Sequence, residues 1–462
     1  MFTFAVANGP NVSGANVMNP TYRDSWTTPA TLVGITVIAL AFRLYRLDAE
    51  SLWMDEIVTV ETFHRDAAGI VMAAASEGQP PLDNFVGAMV YRLGFGQSDW
   101  WMRLPAVIFG AGAVLLLGVW VRRVAGDVAG LAAALLLAVC PMHVSMSQEV
   151  RPYALMLFLA LACGLCYVRA RERNRLADWV VFAVVMFAML MTRWTDPHVV
   201  VLGIGLHALS AQVQARHDGF EKRREERTIF RRIAISTIAA CVCYAPFFWI
   251  VLQYQSVAIR SPSNDWSTRF GSLLYEAFAA LFAGYSTRTV FVALPGSRWL
   301  ALRGALLTLI GLLAALLRCK RADSAFWWIF LPFPFVYAFV YAMLGNAVPK
   351  PQYLLVMAVL VFACVALALD TARACLKRPF LQSAFLAVIL LLLGVPMARA
   401  SWDSLERIDK RDWRGAMGFL KQHAEPGDVA VCLGSDTVPP AFRPKAYGKD
   451  RYGPDQLKFI PV

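Results

Sequence analysis

Two short stretches of this 462-residue sequence hold the side chains best suited to chemistry. The first runs Arg43-Leu-Tyr-Arg-Leu-Asp-Ala-Glu-Ser-Leu-Trp-Met-Asp55-Glu56 and sets two adjacent carboxylates just beyond an apolar segment. The second, Ser147-Gln148-Glu149-Val150-Arg151-Pro152-Tyr153, opens another apolar segment. A carboxylate in such a place can take a proton from an attacking hydroxyl. An arginine ahead of a helix can hold phosphate, because the first backbone amides point outward and carry partial positive charge. Pro152 suits the first turn of that helix, where a missing N–H costs nothing. The chemistry these groups suggest is transfer of a group from a phosphate. The departing phosphate carries nearly two negative charges near neutral pH and needs cations more than an acid. Arg151 is the best placed cation, with Arg193 and Lys350 in other loops as further candidates. The competing explanations are a solvated turn for Asp55 and Glu56, a surface ion pair for Glu149 and Arg151, and snorkelling interfacial residues for Arg193 and Lys350.

The elements that must position these residues are membrane helices. Hydrophobic residues make up 58% of the chain and charged residues 16%, against about a quarter charged in a soluble domain. So much apolar surface must face lipid. Eleven segments, near residues 28–47, 104–121, 127–146, 152–168, 178–192, 195–213, 233–254, 299–317, 325–343, 352–369 and 380–398, are apolar and long enough to cross roughly 30 Å of hydrocarbon. The loops at Arg122–Arg123, Arg169–Arg175, Arg216–Arg232, Arg318–Arg321 and Arg373–Arg378 carry 2, 4, 7, 3 and 3 Lys/Arg. The loops opposite carry one each, Arg151, Arg193 and Lys350. The positive-inside rule therefore puts the first group in the cytoplasm and the candidate site outside. The stretch Pro81–Gly96, with Asp83 and Arg92, would reverse that order if it crossed, so it is expected as an interfacial helix on the outer face.

The expected organisation is a cytoplasmic tail over residues 1–27, without the basic region or cleavage site of a signal peptide, and a transmembrane domain over 28–398. That domain has a large first outer loop, 48–103, with membrane-parallel helices, and a second outer loop, 255–298. A small extracytoplasmic segment, 399–462, follows. It is expected to form a helix from Asp412 to about His423, a Pro-Gly turn and a strand at Val429–Leu433, and to pack on the outer loops.

The net charge of +12 follows from orienting many helices. Nucleic acid is not an expected partner, since no basic stretch is interleaved with aromatics. Most of the nine cysteines lie in or beside apolar spans. Cys163 and Cys166 read as packing residues, and no disulfide framework is expected. His198 stands alone and reads as structural.

At these residues the sequence resembles the GT-C glycosyltransferases, and above all the bacterial branch related to protein O-mannosyltransferases and the lipid A aminoarabinose transferase. The likeness rests on the first loop, Pro80-Pro81, Trp101-Met-Arg103-Leu-Pro105 and Ser147–Tyr153, over roughly residues 40–160. Weaker echoes are Tyr353-Leu-Leu, Asp412-Trp-Arg-Gly-Ala-Met and Glu425-Pro-Gly-Asp428. The resemblance implies an all-α polytopic fold of GT-C type. It also implies an inverting glycosyltransferase that takes sugar from a polyprenyl-phosphate donor, in a bacterial inner membrane with its site facing outward. The family's first-loop base matches Asp55, with Glu56 beside it, and its second acidic residue matches Glu149. Arg151, Tyr153, Arg193 and Lys350 are the expected donor-phosphate and lipid contacts, with Trp53 and Tyr153 flanking the sugar. Where relatives often read His-Pro-Pro-Leu-Tyr, this chain has Gln79-Pro-Pro-Leu-Asp83. No metal role is carried to that position, and Asp83 reads as a polar residue of the helix start in preference to a replacement carboxylate. No cofactor is assigned, and a divalent metal is left open. The acceptor, whether glycolipid, polysaccharide or protein, stays open, as does the sugar. The alternatives are a flippase or transporter of a lipid-linked saccharide, or a non-catalytic homologue. Spans largely free of charge and the lack of an internal repeat weigh against transport.

Overall fold

The structure, a computed structural model, describes residues 27–96, 98–217, 219–254, 277–283, 297–318, 325–343, 354–406, 412–425, 428–432 and 458–461. The protein is an all-α polytopic membrane protein. Its helices are α1 (Thr27–Leu44), α2 (Met54–Val60), α3 (Ala67–Ser76), α4 (Leu82–Val90), α5 (Asp99–Ala125), α6 (Asp127–Ala138), α7 (Pro141–Met146), α8 (Tyr153–Arg173), α9 (Leu176–Leu190), α10 (Thr195–Ala215) and α11 (Phe220–Tyr254). They continue with α12 (277–283), α13 (Ser297–Arg318), α14 (Ala325–Phe330), α15 (Pro332–Met343), α16 (Met357–Ala374), α17 (Pro379–Glu406) and α18 (Trp413–His423).

Six of these helices are long and apolar enough to cross a bilayer, namely α5, α8, α10, α11, α16 and α17. The other sequence-read segments fall on shorter apolar helices, α1, α6, α9, α13 and the α14–α15 pair. The core is built around α5, which packs against α1, α6 and α8, while α16 lies between α6 and α13. Trp120 of α5 is enclosed, and its ring meets Phe326 and Phe330 of α14 edge-on at 5.2 and 5.4 Å. Gly164 of α8 leaves no room for a Cβ against that ring. In α16 every residue from Met357 to Leu369 is buried, whereas only 11% of the apolar stretch of α17 is. An apolar helix that exposed is stable only against lipid.

Four segments differ from their sequence-read form. The segment at 127–146 is two helices, because Pro141 has no N–H with which to continue α6, and the chain turns at Val139–Cys140. Pro332 likewise separates α14 from α15. The loop at 216–232 is helical from Phe220, so α11 runs 35 residues and carries its arginines beyond the apolar stretch. At the chain's other end, α17 continues past 398 to Glu406.

The first loop folds as α2, α3 and α4. Nine residues of α4 span only about 14 Å at the α-helical rise, too little to cross. The helix then relaxes into a wide turn at Tyr91–Phe95, closed by Gly94 at φ +92°. One buried ion pair fastens this loop to the bundle. Glu56 is completely enclosed, and Arg103 of α5 is almost so. Arg103 donates from Nε to Oε1 at 3.2 Å and from Nη2 to Oε2 at 3.1 Å. Its remaining donors reach the carbonyls of Leu47 at 2.8 Å, Glu50 at 2.9 Å and Ser51 at 3.2 Å. Glu56 also accepts from Trp53 N at 3.1 Å, which starts α2, and from Val150 N at 2.9 Å, which ties in the loop before α8.

The C-terminal segment docks on the same loop. Asp412 caps α18 by accepting from Gly415 N at 2.8 Å. Trp413 N donates to Ser51 Oγ at 3.1 Å, and Arg414 donates to Asp48 O at 2.7 Å. Strand β1 (Val429–Cys432) pairs in parallel with β2 (Lys458–Pro461). The sequence reading has no counterpart for β2, whose four residues are too few to show a period.

Removing one member of a buried pair strands the other's charge, at about 3–5 kcal/mol. Arg103→Ala is therefore expected to lower the thermal unfolding midpoint of the purified protein sharply. An Arg103→Ala protein that melts with the wild type would refute the role of this pair as the loop's anchor.

Candidate active site

On a helix successive side chains diverge by about 100°. With Glu56 turned inward, its neighbour Asp55 is left half-buried, and its carboxylate has no hydrogen bond among the described residues. The loop that Glu56 holds at Val150 brings Arg151 alongside. Arg151 Nη1 donates to Thr59 Oγ1 at 3.2 Å and lies 3.4 Å from the Asp55 carbonyl, while the Thr59 hydroxyl donates to that carbonyl at 2.8 Å. Burial works against the charge of Arg151. Tyr153, Asp55, Glu77 and Asp83 outweigh it and hold the guanidinium's pKa above its ordinary value.

Three carboxyl groups thus act through charge on one arginine, with no ion pair to it among the described residues. Asp83 sits in the first turn of α4 and is pushed up to about 6 by burial, against the pull of Arg151. Glu77, at the end of α3, is raised by desolvation and by Asp55, while Arg151 and Arg65 oppose the rise. Two buried donors at this end, Trp53 Nε1 and Arg151 Nε, have no hydrogen-bond partner among the described residues. The short turn between α9 and α10 closes the far side. Met191 O accepts from Leu82 N at 2.9 Å, and Trp194 Nε1 donates to Gly78 O.

Of the residues read from sequence, Asp55, Glu56 and Arg151 come together directly. Glu149 is buried beside them, its carbonyl accepting from Arg151 N at 2.8 Å. Tyr153 is buried in the first turn of α8, with the Arg193 guanidinium 4.5 Å above its ring. Arg193 also faces Asp196, Nε to Oδ2 at 3.3 Å, and Asp196 accepts from the Tyr337 hydroxyl. Two of the three candidate phosphate cations are therefore near α8. The third, Lys350, lies outside the described residues, as does Tyr353. His198 is exposed and its ring nitrogen faces the Trp194 carbonyl, a local helix contact. Among the described residues no three His, Cys, Asp or Glu are grouped to hold a metal ion.

Sequence reasoning missed Arg103 as the partner of Glu56, Glu77 as a third carboxylate, and Asp196 as the partner of Arg193. Arg103 stood within a quoted stretch, but nothing in its spacing from Glu56 tells which acid it meets. Asp83, read as a helix-start residue in preference to a replacement carboxylate, stands in the first turn of α4 and feels the charge of Arg151.

Comparison with known proteins bears on the fold. The family of dolichyl-phosphate-mannose-protein mannosyltransferases matches residues 78–217. No curated protein sequence matches the chain. Among solved structures, ArnT from Cupriavidus metallidurans in the apo state superposes with a TM-score of 0.57 at 15% identity, over 91% of this chain and 84% of that one. The same protein bound to undecaprenyl phosphate gives 0.55 at 15%, over 93% and 86%. The archaeal oligosaccharyltransferase AglB from Archaeoglobus fulgidus, in complex with an inhibitory peptide and a dolichol-phosphate, gives 0.51 at 13% identity. That match covers 87% of this chain but 59% of AglB, so the chain spans under two thirds of the length of that relative. At such identities the likeness is one of fold. The chain has the fold of the GT-C glycosyltransferase superfamily, and within it residues 78–217 carry the sequence pattern of the mannosyltransferase family.

Proposed function

We propose that the chain transfers a sugar from a polyprenyl-phosphate-linked donor to an acceptor hydroxyl, with inversion at the anomeric carbon. The reaction takes place on the extracytoplasmic face of a bacterial inner membrane. The observation that carries this reading is the pairing of an unengaged Asp55 carboxylate with Arg151 at the start of α8. Asp55 accepts the proton of the acceptor hydroxyl as its oxygen attacks the anomeric carbon. The bond from that carbon to the phosphate oxygen breaks on the opposite face, and its electron pair leaves with the lipid phosphate. Arg151 and the first amides of α8 meet the growing charge there. Arg151 Nε and Trp53 Nε1 are buried without a partner among the described residues, and on this reading they turn to the phosphate and the sugar as the donor enters.

Glu56, grouped with Asp55 on sequence, has both oxygens committed to Arg103, Trp53 and Val150. Its role in this mechanism is to aim Asp55 and to hold the Arg151 loop, not to touch substrate. Glu149 and Tyr153 border the donor phosphate, and Arg193, held by Asp196 and Tyr153, sets the position of the tyrosine ring. Undecaprenyl phosphate bound to ArnT and dolichol-phosphate bound to AglB support a polyprenyl phosphate as the lipid carrier. The arginine-rich loops support the outward-facing site.

The reading is tested by turnover of radiolabelled polyprenyl-phosphate sugars by purified protein in lipid. Asp55→Asn is expected to retain donor binding and to lose about 10²–10⁴-fold in turnover, the usual worth of a positioned base. A wild type that moves donor across the bilayer without cleaving it, or an Asp55→Asn enzyme as active as wild type, would refute the mechanism.

Asp83 gives a pH signature. Above about 6 it is ionised and competes with the donor phosphate for Arg151, and below it is neutral. The donor phosphodiester keeps one charge throughout, so the KM for donor should fall as pH is lowered through about 6. One competing charge contact is worth about fivefold at most. Asp83→Asn should hold the lower KM on both sides of that pH. Identical KM profiles for wild type and Asp83→Asn would remove Asp83 from the donor site.

A further inference from the structure

A second arginine near the site is fully buried, and no carboxylate pairs with it among the described residues. Arg43, in the last turn of α1, has no exposed surface. Leaving a guanidinium in such a place without an opposite charge is unfavourable unless every donor finds an acceptor. Arg43 Nη1 donates to Ala39 O at 2.8 Å and to Ala138 O at 3.1 Å, and Nη2 to Leu137 O at 3.4 Å. Leu137 and Ala138 end α6, where Pro141 stops the helix and the last carbonyls carry its partial negative charge. The end of α6 is therefore the counter-charge.

The other contacts run toward the candidate site. Arg43 Nη2 donates to His143 Nδ1 at 2.8 Å, and Nε to Ser147 Oγ at 3.2 Å. An arginine cannot accept, so this bond places the imidazole proton on Nε2. The Ser147 hydroxyl donates to His143 O at 2.6 Å. The amide of Gln148 donates back to the carbonyls of Arg43 at 3.0 Å and Tyr45 at 2.9 Å. Ser147 and Gln148 are the two residues before Glu149, and the loop they begin ends at Arg151 and Pro152. Glu56 fixes that loop at Val150 from the other side. Gly110 of α5 is the floor beneath it, since a Cβ there would run into Ser147 Oγ and come within 3.3 Å of Arg43 Nε.

We infer that Arg43 is a positioning residue for the proposed sugar transfer: by clamping the end of α6 to Ser147, with Gln148 returning to its carbonyl, it sets where the loop carries Glu149 and Arg151. The inference rests on the function proposed above for Arg151. Charge alone does not suffice for this role. A lysine would keep the charge but offers one point of attachment where Arg43 uses three nitrogens in a fixed fork.

The test compares wild type, Arg43→Lys and Gly110→Ala as purified full-length protein in detergent or lipid, with two readouts. Backbone hydrogen exchange over residues 147–152 reads the loop directly, and steady-state turnover of polyprenyl-phosphate sugar reads its consequence. Both variants are expected to exchange faster over 147–152 while α5 and α8 stay protected. Both should lose about 10²-fold in kcat, the scale of a small misplacement, with a smaller rise in KM for donor. Wild-type exchange over 147–152 in Gly110→Ala or Arg43→Lys, or wild-type kcat in both, would overturn the inference. If Arg43→Lys fails to insert, Gly110→Ala decides, because it leaves Arg43 in place. If the wild type itself cleaves no donor, the proposed function fails, and the exchange readout alone then decides whether Arg43 positions the loop.

Discussion

The site depends on one buried ion pair, Glu56 with Arg103. Four pieces of chain meet on it: the turn at residues 47–51, the start of α2, α5, and the loop before α8. A charge so enclosed tolerates little displacement, since any lost contact leaves an uncompensated group in a low-dielectric surrounding. The pair therefore acts as a rigid pin. It also explains why two adjacent carboxylates serve different ends. Helical geometry cannot point both residues of an Asp–Glu dipeptide the same way, so committing Glu56 inward leaves Asp55 half-buried.

The same end of the bundle holds two more buried arginines, each balanced differently. Arg43 is met by the end of α6, a histidine and a serine. Arg193 is met by Asp196 and the face of Tyr153. At the other end of α8 the pairs are more open, Arg169 with Asp178 and Arg171 with Glu226, although both acids and Arg171 are largely covered. Paired charges near the surface are worth little and orient helices, whereas enclosed ones fix geometry. On the proposed orientation the far end of α8 faces the cytoplasm, while the end near Asp55 holds the candidate site.

Much of this was legible in the sequence. Span positions follow from long apolar runs, and the acidic dipeptide and the Glu149–Arg151 stretch stand out because polar residues are scarce. The helix expected from Asp412 is α18, which starts one residue later at Trp413. What was not legible is pairing across distance. Glu56 and Arg103 are 47 positions apart, and Arg43 and Ser147 are 104 apart. No period or spacing links such residues, because tertiary packing alone brings them together. Helix breaks at Pro141 and Pro332 were hidden for another reason. Hydropathy averages over a window, and a proline flanked by apolar residues lowers it too little to mark the turn.

On the proposed reading an arginine that holds a phosphate has an apparent defect in feeling the charges of Asp55, Glu77 and Asp83, which would repel that phosphate. The shifted acidity of Asp83 resolves it. A carboxyl pushed up to about 6 takes up a proton at little expense near neutral pH, and an arriving anion raises its affinity for that proton further. By linkage, donor binding and protonation of Asp83 then favour each other equally. Asp83 can thus stabilise the guanidinium while the site is empty and withdraw its charge when phosphate takes its place. On the proposed reading the acidic ring keeps a buried cation tolerable between turnovers. Asp55, in contrast, sits half-buried in the first turn of α2 with its carboxylate free of hydrogen bonds among the described residues, and on the proposed reading it accepts the acceptor's proton.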